Sequence, residues 1–180
     1  MKPRGPLMIE HRLIEKMLGV IAEEAGRIGK GGKVDPVFID SAVDFVRTYA
    51  DRTHHGKEED ILFKELERKA LTGKDSVTMA ELVDEHRQAR EKVRALVDAK
   101  ERFLKGQAEA VQEMTDIMKW LAAFYPGHIR KEDRDFFPRT ERYFGAEELD
   151  KMLESFRDFD GKMIHEKYEK LVNALRTAEK

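Results

Sequence analysis

The chain has 180 residues, six histidines and no cysteine, and its 34 basic and 36 acidic residues leave a net charge of −2. The lack of cysteine excludes disulfides, thiolate zinc sites, Cys-ligated iron–sulfur clusters and a cysteine nucleophile, and the near balance of charge gives no global field for nucleic acid or an anionic membrane. Charged residues reach 39%, against about a quarter in ordinary domains, which is the composition of long solvated helices.

Glycine clusters and five prolines punctuate the chain, and between these breaks it reads as helix. The first helix is expected over about Leu7 to Ile28, with Leu7, Ile14, Leu18 and Ile21 on one stripe, and ends at Gly29-Lys30-Gly31-Gly32. Asp35-Pro36 opens the second, with Asp35 as N-cap and Pro36 at the first helical position. That helix is long and stops near Leu71. The third is expected to start near Thr78, where Thr78 and Glu81 have capping-box spacing, and to run to Gly106. The fourth runs from about Ala108, is interrupted at Pro126, and stops at Pro138. A fifth stretch covers roughly Ala146 to Ala178. No alternating run argues for a strand.

Long helices joined by short polar loops imply an all-α fold, an antiparallel up-down four-helix bundle with an additional C-terminal helix. The expected organisation is one domain over residues 1–180, with the bundle core at 7–138 and the C-terminal helix at 146–178. No apolar run approaches the roughly 20 residues of a membrane span. Met1 to Pro6 is followed by no long apolar stretch of a signal peptide, so the expected location is the cytoplasm, with no membrane and no nucleic-acid partner.

The histidines carry the most information. His11 and His54 lie 43 residues apart on the first two helices, and His86 and His128 lie 42 apart on the next two. The chain therefore reads as two helical hairpins with one histidine layout. The second histidine of each pair has a carboxylate four residues on, His54 with Glu58 and His128 with Glu132, and residues at that spacing share a helix face. Lys57 matches Lys131, and Leu62-Phe63 matches Phe136-Phe137. Two such hairpins would bring four histidines and two glutamates to one point. Imidazole with carboxylate and no thiolate suits iron or manganese, with zinc also accommodated. Six protein ligands are few for two octahedral ions, so a carboxylate would bridge and oxo, hydroxo or small ligands would fill the remainder.

At about 100° per residue, Val43, Ala50 and Ile61 centre the apolar stripe of the second helix on His54. His55 then points to the edge of that face. His54 with Glu58 is the preferred pair, and His55 with Glu59 the alternative. His11 lies in line with Leu7, Ile14 and Leu18, His86 with Leu82, Val83 and Val93, and His128 with Ile117, Leu121 and Phe124. His165 sits at the margin of its stripe, as a surface or supporting histidine. Glu59, Asp60 and Asp133 read as solvated, and no substrate pocket is evident.

Glu10-His11, His54 to Phe63, Glu85-His86-Arg87 and the run His128 to Pro138 together resemble the hemerythrin-like, HHE cation-binding family over about Met8 to Pro138. The resemblance implies a non-haem two-iron centre in a four-helix bundle, held by His11, His54, Glu58, His86, His128 and Glu132. It further implies reaction with a small ligand (oxygen, nitric oxide or peroxide) in redox or nitrosative stress or in iron handling, either with turnover or as a sensor or carrier. Lys64 stands where a proline is common. Oxygen-carrying hemerythrins have a further histidine four residues after the one on their third helix; Arg90 occupies that place here. The set is then short by one imidazole, which His55, His165 or Tyr168 would have to supply.

Overall fold

The computed structural model describes residues 2–161 and 164–178. Among them are six helices and no strand: α1 (Arg4–Gly29), α2 (residues 36–67), α3 (Gly73–Leu104), α4 (residues 110–143), α5 (Ala146–Asp160) and α6 (Ile164–Ala178). The first four form the antiparallel bundle. α1 packs on α4 and α2, and α3 packs on α4 and α2, so each helix touches its two neighbours in the ring.

Most breaks fall where local chemistry requires. The turn after α1 places Gly31 at φ 90°, a left-handed conformation that side chains disfavour. Asp35 caps α2, its Oδ1 accepting from the Val37 amide at 2.9 Å. Three boundaries differ from expectation. α3 begins five residues before Thr78, because Thr72 is the cap: its Oγ1 accepts from the Asp75 amide and donates to the Asp75 carboxylate. Thr78 is inside the helix and bonds the Lys74 carbonyl one turn back. α4 does not stop at Pro138. The proline occupies the first turn of a new α-helical segment, Phe137–Thr140, where its missing amide costs nothing. The C-terminal helix is two helices, because Gly161 follows Asp160 at φ 62° and terminates α5. Lys162 and Met163, within the single helix expected there, lie outside the described residues.

The widened, π-helical turns are not announced by the sequence pattern. α2 carries two, Phe45–His55 and Glu58–Phe63, and α4 carries one, Lys131–Phe136. All three adjoin the belt of buried histidine and glutamate that crosses the bundle, and such turns are frequent at functional sites.

Two apolar clusters fill the bundle, and each of the four helices contributes to both. The larger holds Ile14 to Ala25 of α1, Phe38 to Ala50 of α2, Ala89 to Ala99 of α3 and Met114 to Ile129 of α4. The smaller holds Leu7, Leu62, Phe63, Leu66, Leu82, Phe136 and Phe137. Between them, on every helix, the apolar stripe gives way to histidine and glutamate. α5 lays Met152 and Phe156 on the smaller cluster, and α6 adds Tyr168 and Val172 to the larger. The site is thus closed by hydrophobic packing at both ends, which fixes the four helices around it. Val83, expected on the stripe with His86, is 42% exposed and stands outside it. No helix among the described residues is long and apolar enough to cross a membrane.

Candidate metal centre

Five histidines and two glutamates meet in the belt: His11 from α1, His54, His55 and Glu58 from α2, His86 from α3, and His128 and Glu132 from α4. None is more than 3% exposed. They divide into two groups whose ligating atoms lie within 4.8 Å of one another, His11, His54, Glu58 and Glu132 in one and His55, His86 and His128 in the other. The two carboxylates reach both. Glu132 sets Oε2 3.1 Å from His11 Nε2 and Oε1 3.3 Å from His128 Nε2. Glu58 sets Oε1 3.4 Å from His54 Nε2 and Oε2 3.4 Å from His86 Nε2.

A second ring of carboxylates fixes the imidazoles. His11 Nδ1 donates to Asp133 (2.7 Å), His54 Nδ1 to Glu10 (2.8 Å), His86 Nδ1 to Glu59 (2.7 Å) and His128 Nδ1 to Glu85 (2.7 Å). The pattern has two-fold character. Glu10 and Glu85, each preceding a histidine, hold the other histidine of their own hairpin; Glu59 and Asp133, following Glu58 and Glu132, hold a histidine of the opposite hairpin. Lys57 and Lys131 repeat it, donating to Glu10 and to Glu85.

This arrangement fits a cation. With each Nδ1 committed to a carboxylate, the Nε2 of His11, His54, His86 and His128 is buried without a hydrogen-bond partner, as are both nitrogens of His55 and all four oxygens of Glu58 and Glu132. Buried polar atoms are rarely left so, and an Nδ1–H bonded to carboxylate is what orients Nε2 toward a metal. Charge agrees with geometry. Burial raises Glu58 well above the carboxylate range, and the charge of Glu132 adds to this. Glu132 is driven the other way, because its histidine neighbours outweigh burial. Two carboxylates so close in a dry site do not both ionise unless positive charge sits between them. His54 falls to about 4 through burial and the nearby His11, and burial and His86 carry His55 well below its usual value. Burial opposes protonation of His11 also, but Asp133 and Glu132 prevail and lift it to about 9.

The expected edge position of His55 is corrected. It is 1% exposed, and its ring stacks on His86 with centroids 3.8 Å apart and planes at 12°. The π-helical turn over Phe45–His55 turns the chain through a smaller angle per residue than the α-helical period assumed for the stripe, so His54 and His55 both face inward. His54 turns to His11, with centroids 4.4 Å apart, and His55 to His86. Asp51 Oδ1 lies 3.4 Å from His55 Nδ1. Glu59 and Asp133, expected in solvent, are the partners of His86 and His11; Asp60 is exposed beside Lys64, as expected.

His165 and Tyr168 stand apart from the two groups. Tyr168 is buried and donates to Asp44 at 2.9 Å. His165, half exposed, bonds Tyr49 and Asp160. Glu10, Asp160 and His165 also lie close enough to hold an ion, but Lys57 donates to both Glu10 and Asp160, and its ammonium already supplies the positive charge there. Arg90 bonds Asp51 (2.7 Å) and Glu59 (2.8 Å), tying α2 to α3 beside the site. A cavity of about 300 Å³ opens between those helices, and His55, Arg90 and Tyr125 are in its wall. No sequence pattern announces this cavity, because its residues belong to no single helix face.

No curated protein and no solved structure matches the chain at significance. The family model described as hemerythrin HHE cation binding domain matches residues 6–140, and a second time residues 77–179. The first match spans most of the chain and both hairpins of the histidine belt, and the chain belongs to the hemerythrin HHE cation-binding family.

Proposed function

We propose that this protein binds two iron ions in the belt and uses them to react with a small ligand such as peroxide, nitric oxide or oxygen. The observation that carries the reading is the split of the five histidines, His55, His86 and His128 on one side and His11 and His54 on the other, with Glu58 and Glu132 reaching both. A donor set of imidazole and carboxylate without thiolate suits iron, with manganese and zinc as competitors. When bound, a pair of irons supplies one-electron steps and Lewis acidity toward a small oxidant.

The chain's own part is positional. His11 and His54 offer one imidazole fewer than the opposite group, so an ion held there would have a coordination position left for an incoming ligand. Glu10, Glu59, Glu85 and Asp133 hold ring orientation, and their charges favour a cation in the belt. The apolar clusters keep bulk water from both ends. His11, whose pKa Asp133 and Glu132 raise, and Glu58, whose pKa burial raises, are the groups from which metal binding would displace protons.

The test is elemental analysis of protein loaded with iron under reducing, anaerobic conditions, followed by rapid mixing with peroxide, nitric oxide or oxygen under visible absorption. Close to two irons per chain and repeated consumption of peroxide or nitric oxide support the proposal. Tightly held zinc at one ion or fewer per chain contradicts it. A persistent spectrum that reverts on removing oxygen assigns a carrier without turnover.

A further inference from the structure

The cavity beside His55 has features that the metal reading does not use. Its volume, about 300 Å³, is at the lower end of small-molecule sites and larger than a diatomic ligand needs. Its charge is one-sided. Arg47, Arg52, Arg90 and Arg94 line it against a single carboxylate, Asp51. Arg90 is paired with Asp51 and Glu59, but Arg47, Arg52 and Arg94 make no hydrogen bond or ion pair among the described residues.

The placement is graded. Arg47 precedes His55 by eight residues on α2, and Arg94 follows His86 by eight on α3; the two helices are antiparallel, so both arginines, exposed and unpaired, lie toward the same end of the bundle from the stacked imidazoles. Val46, Ala89 and Val93 add apolar lining. At the inner end is Tyr125, 2% exposed, whose hydroxyl has no partner. A buried hydroxyl without an acceptor is costly and uncommon, and burial keeps this phenol protonated, hence a donor.

We propose that this cavity binds a small oxyanion, of the carboxylate or phosphate kind, with Arg47 and Arg94 holding the charged group and Tyr125 donating from the inner end. Guanidinium forks match planar and tetrahedral oxyanions through paired N–H donors. The cavity then delivers, or retains, an anionic small molecule next to the imidazole pair of His55 and His86.

The experiment is an NMR titration of the full chain loaded with zinc, a diamagnetic substitute, using succinate and inorganic phosphate in separate arms at constant ionic strength and chloride as the reference. The expected result is saturable movement of the Tyr125 ring signals and of amides in 47–55 and 89–94 for one arm, which identifies the kind of anion. The double variant Arg47→Gln/Arg94→Gln should weaken binding by roughly tenfold or more, and Tyr125→Phe should weaken it with the arginines intact. Zinc content, measured in the same samples, should not change. No saturation in either arm, equal response to chloride, or unaltered affinity in the double variant overturns the proposal. Loss of metal from the wild-type chain instead counts against the metal centre, and the titration still decides the cavity by itself.

Discussion

His55 stacks on His86 at 3.8 Å between ring centroids, and this contact breaks the two-fold relation of the hairpins. Aligning His54 with His128 places Ile129 opposite His55. Ile129 is buried in the larger apolar cluster, whereas His55 carries two unpartnered nitrogens. On the two-iron proposal, His55 on α2 would supply the imidazole for which α3 carries Arg90. His55→Ala should lower bound iron from two toward one per chain, while leaving helix content intact by circular dichroism. Retention of two tightly held irons would mean that His55 is packing alone.

The outer carboxylates set the imidazole orientation, so removing one should weaken metal binding while every ligand remains. Glu85→Ala and Asp133→Asn are each expected to lower metal affinity by roughly 10- to 100-fold. Competition with a chelator measures it. Asp60→Ala, at an exposed carboxylate paired only with Lys64, is the control and should change nothing.

Metal binding should be proton-linked through His11. Its pKa is lifted to about 9, so below that pH a proton must leave before Nε2 can ligate. Affinity for the ion held beside His11 should rise with pH toward about 9, with protons released on binding. In the metal-free protein the sign is opposite. Protonated His11 stabilises the fold fully below its unfolded value of about 6.5, and this contribution is lost as pH climbs through about 9. Zinc titrations at several pH values, with thermal melts of the metal-free chain, test both. An affinity flat across this range would remove His11 from the linkage.

Asp75 anchors the end of the bundle beyond the smaller cluster. It is fully buried and accepts from Thr72, Arg139, Arg142 and Tyr143. Burial raises its pKa, but Arg139, Tyr143 and Thr72 outweigh this and hold it far below the carboxylate range. Asp75→Ala removes the shared acceptor of Thr72, Arg139, Arg142 and Tyr143 and should cost about 2 kcal/mol, read by denaturant unfolding, without altering metal content. A cost under about 0.5 kcal/mol would reduce the network to surface pairing.

The bundle is legible in the sequence because glycine clusters and 3.6-residue stripes are local signals, and the repeat of histidine and glutamate shows which residues lie on inner faces. What stays hidden is non-local or aperiodic. A π-helical turn leaves no mark in an apolar stripe, so an α-helical wheel sets His55 at the edge. Glu59 and Asp133 look like any solvated acid beside a ligand, and only the opposite hairpin shows that each meets a histidine. The repeat itself holds the missing signal: Glu59 and Asp133 occupy equivalent positions. Thr72 escapes notice because a capping box at Thr78 satisfies the same rule. Gly161 interrupts an otherwise continuous helical pattern, and a single glycine is compatible with either reading until its φ is known.

A pair of ions shared unequally between two histidine groups is what the belt is proposed to hold. Diffraction from crystals of the iron-loaded chain, recorded on both sides of the iron absorption edge, tests it directly. Two anomalous peaks are expected, one between His11 and His54 and the other among His55, His86 and His128, with Glu58 and Glu132 reaching both. A single peak, or two peaks with His55 ligating neither, would contradict the account.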